Sequence, residues 1–335
     1  GKMSIFATRK SNIMKKGIQM MFCALLLQCL TLVSLNVENL FDCEHDTLKN
    51  DLEWLPDGSN HWNKKRYWKK VNHLAQEVIA CGETEDGWEL PDLVALCEVE
   101  NDTVMRDLTR RSPLRNARYE YVMTDSPDPR GIDVALMYSP FSFSLIESRS
   151  FGVKPLKGMH APRDILFVKG RLLRGDTLCV FVVHAPSRTG GERATRNHRL
   201  IVAQRLCELV DSVRLASPQT LFMVAGDFND TTDSPSLLVL QSHGLHDVSM
   251  NAKGKHGALG TYRYRGEWGS LDHIFVSDNL MKCLSDCRVF DAPFLLEKDE
   301  KYGGMKPHRT YLGPRYVGGY SDHLPLVARF SLGNR

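Results

Sequence analysis

The stretch GYSDHLPLVARF, residues 319–330, sets an acid and a histidine, Asp322 and His323, directly before an apolar run with the make-up of a buried strand. Ionisable groups at the lip of such a strand are costly unless they find partners. The rest of the chain repeats the arrangement. Short β-rich runs occur at 30–37, 92–97, 132–138, 165–172, 178–184, 220–226, 271–276 and 324–331, and most end in polar residues. LNVENLFD delivers Asn36, ALCEVEN delivers Glu98, VVHAPSR delivers His184, VAGDFND delivers Asp227 and Asn229, and SLDHIFV opens on Asp272. Between the runs lie helical spacings: Tyr67, Val71, Leu74 and Val78 within 62–80, and Leu200, Ala203, Leu206, Cys207 and Val210 within 192–214. This alternation indicates an α/β fold, in which sites gather at strand ends.

Composition narrows the class. The 335 residues are 42% hydrophobic and 25% charged, an ordinary balance for a chain that buries a sizeable core. No Pro, Gly or Ser-rich linker and no fixed repeat divides it, so one domain over 30–332 is expected. The net charge of +3 demands no polyanionic partner. The cluster Lys64, Lys65, Arg66, Lys69 and Lys70 reads more simply as the wet face of an amphipathic helix than as a nucleic-acid patch. Nine cysteines, an odd number without a CxxC pair, argue against a disulfide framework and a zinc finger, and Cys97, Cys179 and Cys207 read as core residues. Residues 291–320 are polar, aromatic and glycine-rich without a period, and a loop that long is usually functional.

The start of the chain carries two readings. Lys15 and Lys16 followed by an apolar run resemble a secretory signal, giving a targeting segment over 1–29 and export to the periplasm or cell envelope. The run also merges into the strand at 30–37 without a small-residue cleavage site, which fits a cytoplasmic chain. Gln19 and Gln28 interrupt it, so no integral membrane span is expected.

The strand-end residues point to metal and water chemistry, since no GxSxG turn presents a serine nucleophile. Asn36, Glu98 and Asp322 form a hard oxygen set suited to Mg2+, with Mn2+ able to substitute. Asp227 can take a proton from water, Asn229 can hold a phosphate oxygen, and a histidine held by a carboxylate, His323 by Asp272, completes an acid-base set.

In this order, LNVENLF, ALCEVEN, VVHAPSR, VAGDFND, SLDHIFV and YSDHLPL resemble the motifs of the endonuclease/exonuclease/phosphatase superfamily, the deoxyribonuclease I-like proteins, as found in bacterial members. The resemblance spans Leu32 to Phe330. It implies a four-layer sandwich, two packed mainly antiparallel sheets flanked by helices, in place of the parallel sheet that βα alternation alone would suggest. It implies that Asn36 and Glu98 hold the metal with Asp322 nearby, that Asp227 activates water, and that Asn229 binds phosphate. It further implies that Asp272 orients His323 and that His184 contacts phosphate or serves as acid. Arg163 falls, more loosely, where some members place a phosphate-contacting arginine. Arg188 is the second residue of SRTGGERATRNHR, whose Gly190 and Gly191 would let a phosphate approach between Arg188, Arg193, Arg196 and Arg199. The expected function is a metal-dependent phosphoric ester hydrolase, a phosphodiesterase or nuclease-like enzyme. A phosphomonoesterase acting on a phosphoinositide or another small phosphorylated substrate is the alternative. A non-enzymatic module retaining the fold would lack site residues, and none is missing. The expected partner is a phosphoester, nucleic acid among the candidates, and the expected state is a monomer.

Overall fold

The computed structural model describes residues 28–84 and 87–333. The expected targeting segment lies outside them except for Gln28 and Cys29, which open the first strand. In chain order the strands are β1 (Gln28–Leu40), β2 (Leu93–Val99), β3 (Glu120–Met123), β4 (Asp133–Tyr138), β5 (Phe143–Phe151), β6 (Ile165–Leu172), β7 (Thr177–His184), β8 (Leu221–Asp227) and β9 (His246–Asp247). They continue with β10 (Tyr262–Tyr264), β11 (Glu267–Gly269), β12 (Asp272–Val276), β13 (Leu284–Val289), β14 (Leu296–Lys298), β15 (Met305–Pro307), β16 (Tyr311–Leu312), β17 (Arg315–Tyr316) and β18 (Leu326–Leu332). The main helices are α1 (Lys64–Ala80), α2 (Glu192–Ala216) and α3 (Pro235–Ser242).

Twelve strands form two six-stranded sheets, ordered β13-β18-β1-β2-β4-β3 and β5-β6-β7-β8-β12-β9. Each is built about one parallel pair, β1 with β2 and β7 with β8, and every other pairing is antiparallel. The inner faces meet where β1 approaches β8 and β2 approaches β7. Strand β7 shows why such runs read as continuously apolar. Leu178, Val180 and Val182 enter the core between the sheets, whereas Cys179, Phe181 and Val183 enter a second core with Val202, Leu206 and Val210 of α2. Both faces of a central strand are covered, so alternation disappears. Helix α1 packs on β1 through Tyr67, Val71, Leu74 and Val78, which makes the fourth layer.

The eight apolar runs coincide with β1, β2, β4, β6, β7, β8, β12 and β18. The edge strand β5, FSLIESRSF, gave no such signal because most of it is exposed. Segment 291–320 carries the two small hairpins β14–β15 and β16–β17. Cys97, Cys179 and Cys207 are buried as expected. The basic cluster divides: Lys64, Lys65 and Lys69 are exposed on α1, but Lys70 is fully buried. Its Nζ donates to Thr310 Oγ1 at 2.7 Å and to the Tyr320 carbonyl, so this lysine is not part of a wet face.

Candidate active site

The topology explains why the polar residues converge. Asn36 and Glu98 stand near the ends of the parallel pair β1 and β2, and β18 runs antiparallel to β1, so His323 just before it lies at the same end. In the other sheet His184 and Asp272 both sit opposite Asp227. The ladder of β1 and β2 slips between Asn36 and Leu40, and that of β2 and β4 slips between Cys97 and Val99. These bulges coincide with left-handed backbone at Glu38, Asn39 and Glu98 (φ +51°, +57° and +70°). Asn229 is also left-handed, at +51°. Such strain at strand ends re-aims side chains and is a mark of functional sites. Gly226 has its own necessity: a Cβ there would lie 1.9 Å from the Val183 carbonyl oxygen, so the GDFN turn requires glycine where β8 meets β7.

At the centre, His323 Nδ1 lies 2.7 Å from Asp272 Oδ2 in a buried contact, and its Nε2 lies 3.9 Å from Asp227 Oδ2. Asn36 Nδ2 donates to that same Asp227 oxygen at 3.0 Å, while Asp227 Oδ1 accepts from the Asn229 backbone at 2.8 Å. Burial and the neighbouring Asp272 raise the Asp227 pKa to about 7, against the lowering effect of His323 and Asn36. Burial pushes the His323 imidazole down, but Asp272, Asp227 and Asp322 outweigh it and hold its pKa well above the ordinary value. His184 behaves oppositely: burial, Arg163 and Arg130 depress its pKa, so it stays neutral. Its Nε2 is 3.7 Å from both Glu98 Oε1 and Asp227 Oδ2, and its Nδ1 has no hydrogen-bond partner.

Asn36, Glu98, His184, Arg188, Asp227, Asn229, Asp322 and His323 all line one cleft of about 760 Å³. Asp272 stands behind it, fully buried. Arg188 reaches the wall by donating from Nε to the Asn229 carbonyl at 2.7 Å. Arg163 does not line this cleft. It is buried, with its Nε 2.8 Å from Asp128 Oδ2, and borders an adjoining cavity. Arg199 is no clamp either: its guanidinium is buried against Asp230 at 2.8 Å and ties down the first turns of α2.

Glu38, Arg130 and Arg309 are among the cleft residues that the sequence did not single out. Glu38 accepts from Thr310 N at 2.6 Å and from Arg309 Nε at 3.3 Å, and Arg309 Nη2 donates to Asp322 at 2.8 Å. Arg130 donates to the Asn39 side chain at 2.7 Å. Glu38 sits inside the quoted motif and could have been found as a second acid two residues after Asn36. Arg130 and Arg309 lie in loops without a pattern.

A divalent cation fits this donor set. Glu98 presents a carboxylate whose Oε2 takes the Asn39 N–H at 2.9 Å while Oε1 meets no N–H donor among the described residues. Among the described residues, the His, Cys, Asp and Glu side chains grouped closely enough to share one ion are Asp227, Asp272 and His323, with a ligand atom each within 4.8 Å of one another, a group that does not include Glu98 or Asp322. The lining near Asn36 and Asp322 offers oxygen and no sulfur, as a hard ion requires.

Comparison with known proteins agrees with this architecture. The model of the Endonuclease/Exonuclease/phosphatase family matches residues 31–331. An endonuclease/exonuclease/phosphatase family protein from Bacteroides thetaiotaomicron is similar in structure at TM-score 0.62 and 17% identity, covering 92% of this chain and 100% of that one. The mannosyl-6-phosphatase of Bacteroides thetaiotaomicron VPI-5482 is similar at TM-score 0.61 and 19% identity, covering 89% and 98%. The human Nocturnin catalytic domain with bound sulfate is similar at TM-score 0.56 and 17% identity, covering 90% and 94%. Comparison with curated proteins returns no match. The match over nearly the whole chain, on two sheets packed as described, shows that the chain belongs to the endonuclease/exonuclease/phosphatase family.

Proposed function

We propose that this chain is a divalent-metal-dependent phosphoester hydrolase in which water attacks phosphorus directly. The observation that carries the reading is the buried Asp272–His323 pair set 3.9 Å from an Asp227 whose pKa stands near neutrality. A base poised near working pH and an imidazolium beside it divide the work of acid-base catalysis. Asp227 orients the water and takes its proton. Its geometry is fixed by the amide of Asn36 and the backbone of Asn229. Asp272 fixes the His323 tautomer, leaving Nε2–H to face the phosphoryl oxygens. His184, kept neutral, contacts the phosphate without adding charge. Asn36, Glu98 and Asp322 would hold the cation, magnesium by the hardness of the set, which when bound neutralises charge on the phosphoryl and leaving oxygens.

A phosphodiester is the substrate class we favour. The phosphomonoester alternative keeps one supporting observation, the similarity in fold to a mannosyl-6-phosphatase. The test is hydrolysis of bis(p-nitrophenyl) phosphate and p-nitrophenyl phosphate with and without magnesium, by the wild type and by Asp227→Ala and His323→Ala. Each substitution should lower kcat by about 10² to 10⁴, the range of general acid-base catalysis. Losses under about tenfold in both variants would refute the assignment.

A further inference from the structure

The hairpin β10–β11 belongs to neither large sheet, yet it stands on the catalytic cleft. A single antiparallel bridge joins Tyr262 to His323, and the Tyr262 ring lies 4.9 Å from the imidazole, centroid to centroid. The register pairs Tyr262 with Gly269 and Tyr264 with Glu267, so these residues share one face of the hairpin, and all of them line the cleft. Gly269 leaves that face open: a Cβ there would meet nothing within 4 Å, and a glycine inside a strand often marks the close approach of a ligand. Tyr264 is left 59% exposed, and the exposed Glu267 has neither a hydrogen-bond nor an ionic partner among the described residues. The face is held from behind. Arg263, on the reverse side, donates to the carbonyls of Gly266 at 3.0 Å, Gly303 at 2.8 Å and Met305 at 2.7 Å, and reaches Asp299 at 3.2 Å. Charge decides what such a face can take. Arg309, a cleft cation that acts on Tyr262, is shared between Glu38 and Asp322, and Arg265, 5.1 Å from the Tyr264 ring, does not line the cleft. An unpaired carboxylate repels phosphates and accepts from hydroxyls, while tyrosine rings cover the apolar face of a ring laid flat on them. Tyrosines two residues apart on a strand stand about 7 Å from each other, the length of one sugar ring.

We propose that the ring carrying the reacting phosphate is a neutral hexose, laid on Tyr262 and Tyr264 with its hydroxyls donating to Glu267. The inference rests on the phosphoester reading for the cleft and adds the substrate class: a phosphorylated sugar, in place of a nucleic-acid strand whose next phosphate would meet the Glu267 carboxylate.

Binding, measured apart from turnover, tests it. Full-length protein carrying Asp227→Ala, in magnesium, is titrated by calorimetry with the 6-phosphates of glucose, mannose and galactose, with glycerol 3-phosphate, which has no ring, and with thymidine 5′-phosphate. Tyr264→Ala and Glu267→Ala are then added singly. At least one hexose phosphate should bind about tenfold or more tighter than glycerol 3-phosphate, the scale of one hydrogen bond to a charged group. Each added substitution should erase about fivefold or more of that preference, while the affinity for glycerol 3-phosphate stays within about twofold and so reports an intact site. Equal affinity for the hexose phosphates and glycerol 3-phosphate, or a preference that survives both substitutions, overturns the proposal. So does tighter binding of thymidine 5′-phosphate than of every hexose phosphate, which would make the stacked ring a base. A wild type that hydrolyses no phosphoester would instead refute the function proposed for the cleft, leaving these affinities to be read by themselves.

Discussion

Glu77 on α1 should make this protein less stable as the pH rises from 5 to 8. The side chain is completely buried and neither carboxylate oxygen has a hydrogen-bond partner. Burial raises its pKa from the ordinary 4.5 to about 8, with Lys70 opposing the shift. The folded state therefore holds a proton that the unfolded chain releases above pH 4.5. With more protons bound when folded, stability must fall with rising pH, by about 1.4 kcal/mol for each pH unit between the two values. The cost is absent below pH 4, reaches about 3 kcal/mol at pH 7 and levels off near 5 kcal/mol above pH 8. Glu77→Gln removes the ionisation and leaves Lys70 its contacts with Thr310, Tyr320 and Glu38. Urea unfolding of both proteins from pH 5 to 8 reports on position 77 and its partner Lys70, because the titrations of distant groups cancel in the difference. The wild type should lose about 4 kcal/mol relative to the variant across that window. Parallel stability curves would refute the reasoning, and would mean that Glu77 is charged or hydrated in the folded protein.

Other expectations follow from the same geometry. Asp272→Asn removes the charge that holds His323 protonated, so burial should pull the imidazole pKa down. Activity at pH 7 should fall by about 10² to 10⁴, and its loss at high pH should begin at a lower pH than in the wild type. Asp227 must be ionised to act, so kcat/KM should decline as pH drops through about 7, and that limb should move lower as magnesium is raised. Asp230→Ala strips the buried Arg199 guanidinium of its partner and should destabilise the fold by about 3–5 kcal/mol in urea titrations. Glu98→Gln should raise the magnesium concentration needed for half-maximal activity at least about tenfold, since it removes the charged donor of the proposed set.

Legibility in the sequence tracked burial and chain order. Runs such as LCVFVVH were readable because covered central strands admit little but apolar residues, and GDFND because Gly226 is required by the approach of Val183. The polar strand ends that line the cleft could be named because they stand within three residues of those runs. What the sequence concealed depends on tertiary placement. Arg163 looked like a phosphate contact, but the fold turns it toward Asp128 and the adjoining cavity. Lys70 carries the same charge as Lys69 and is buried only because the loop after Pro307 folds over α1. Arg130 meets Asn39 across 91 residues, and Glu38 meets Arg309 and Thr310 across 271 and 272, and no local pattern encodes such a contact.

The most direct test of water attack on phosphorus is a single turnover of a phosphodiester in 18O-labelled water, with enzyme in excess and the products resolved by mass spectrometry. The account predicts one solvent oxygen in the product phosphate during the first turnover and none in the released alcohol. Label in the alcohol, or an unlabelled phosphate in that first turnover, would contradict it.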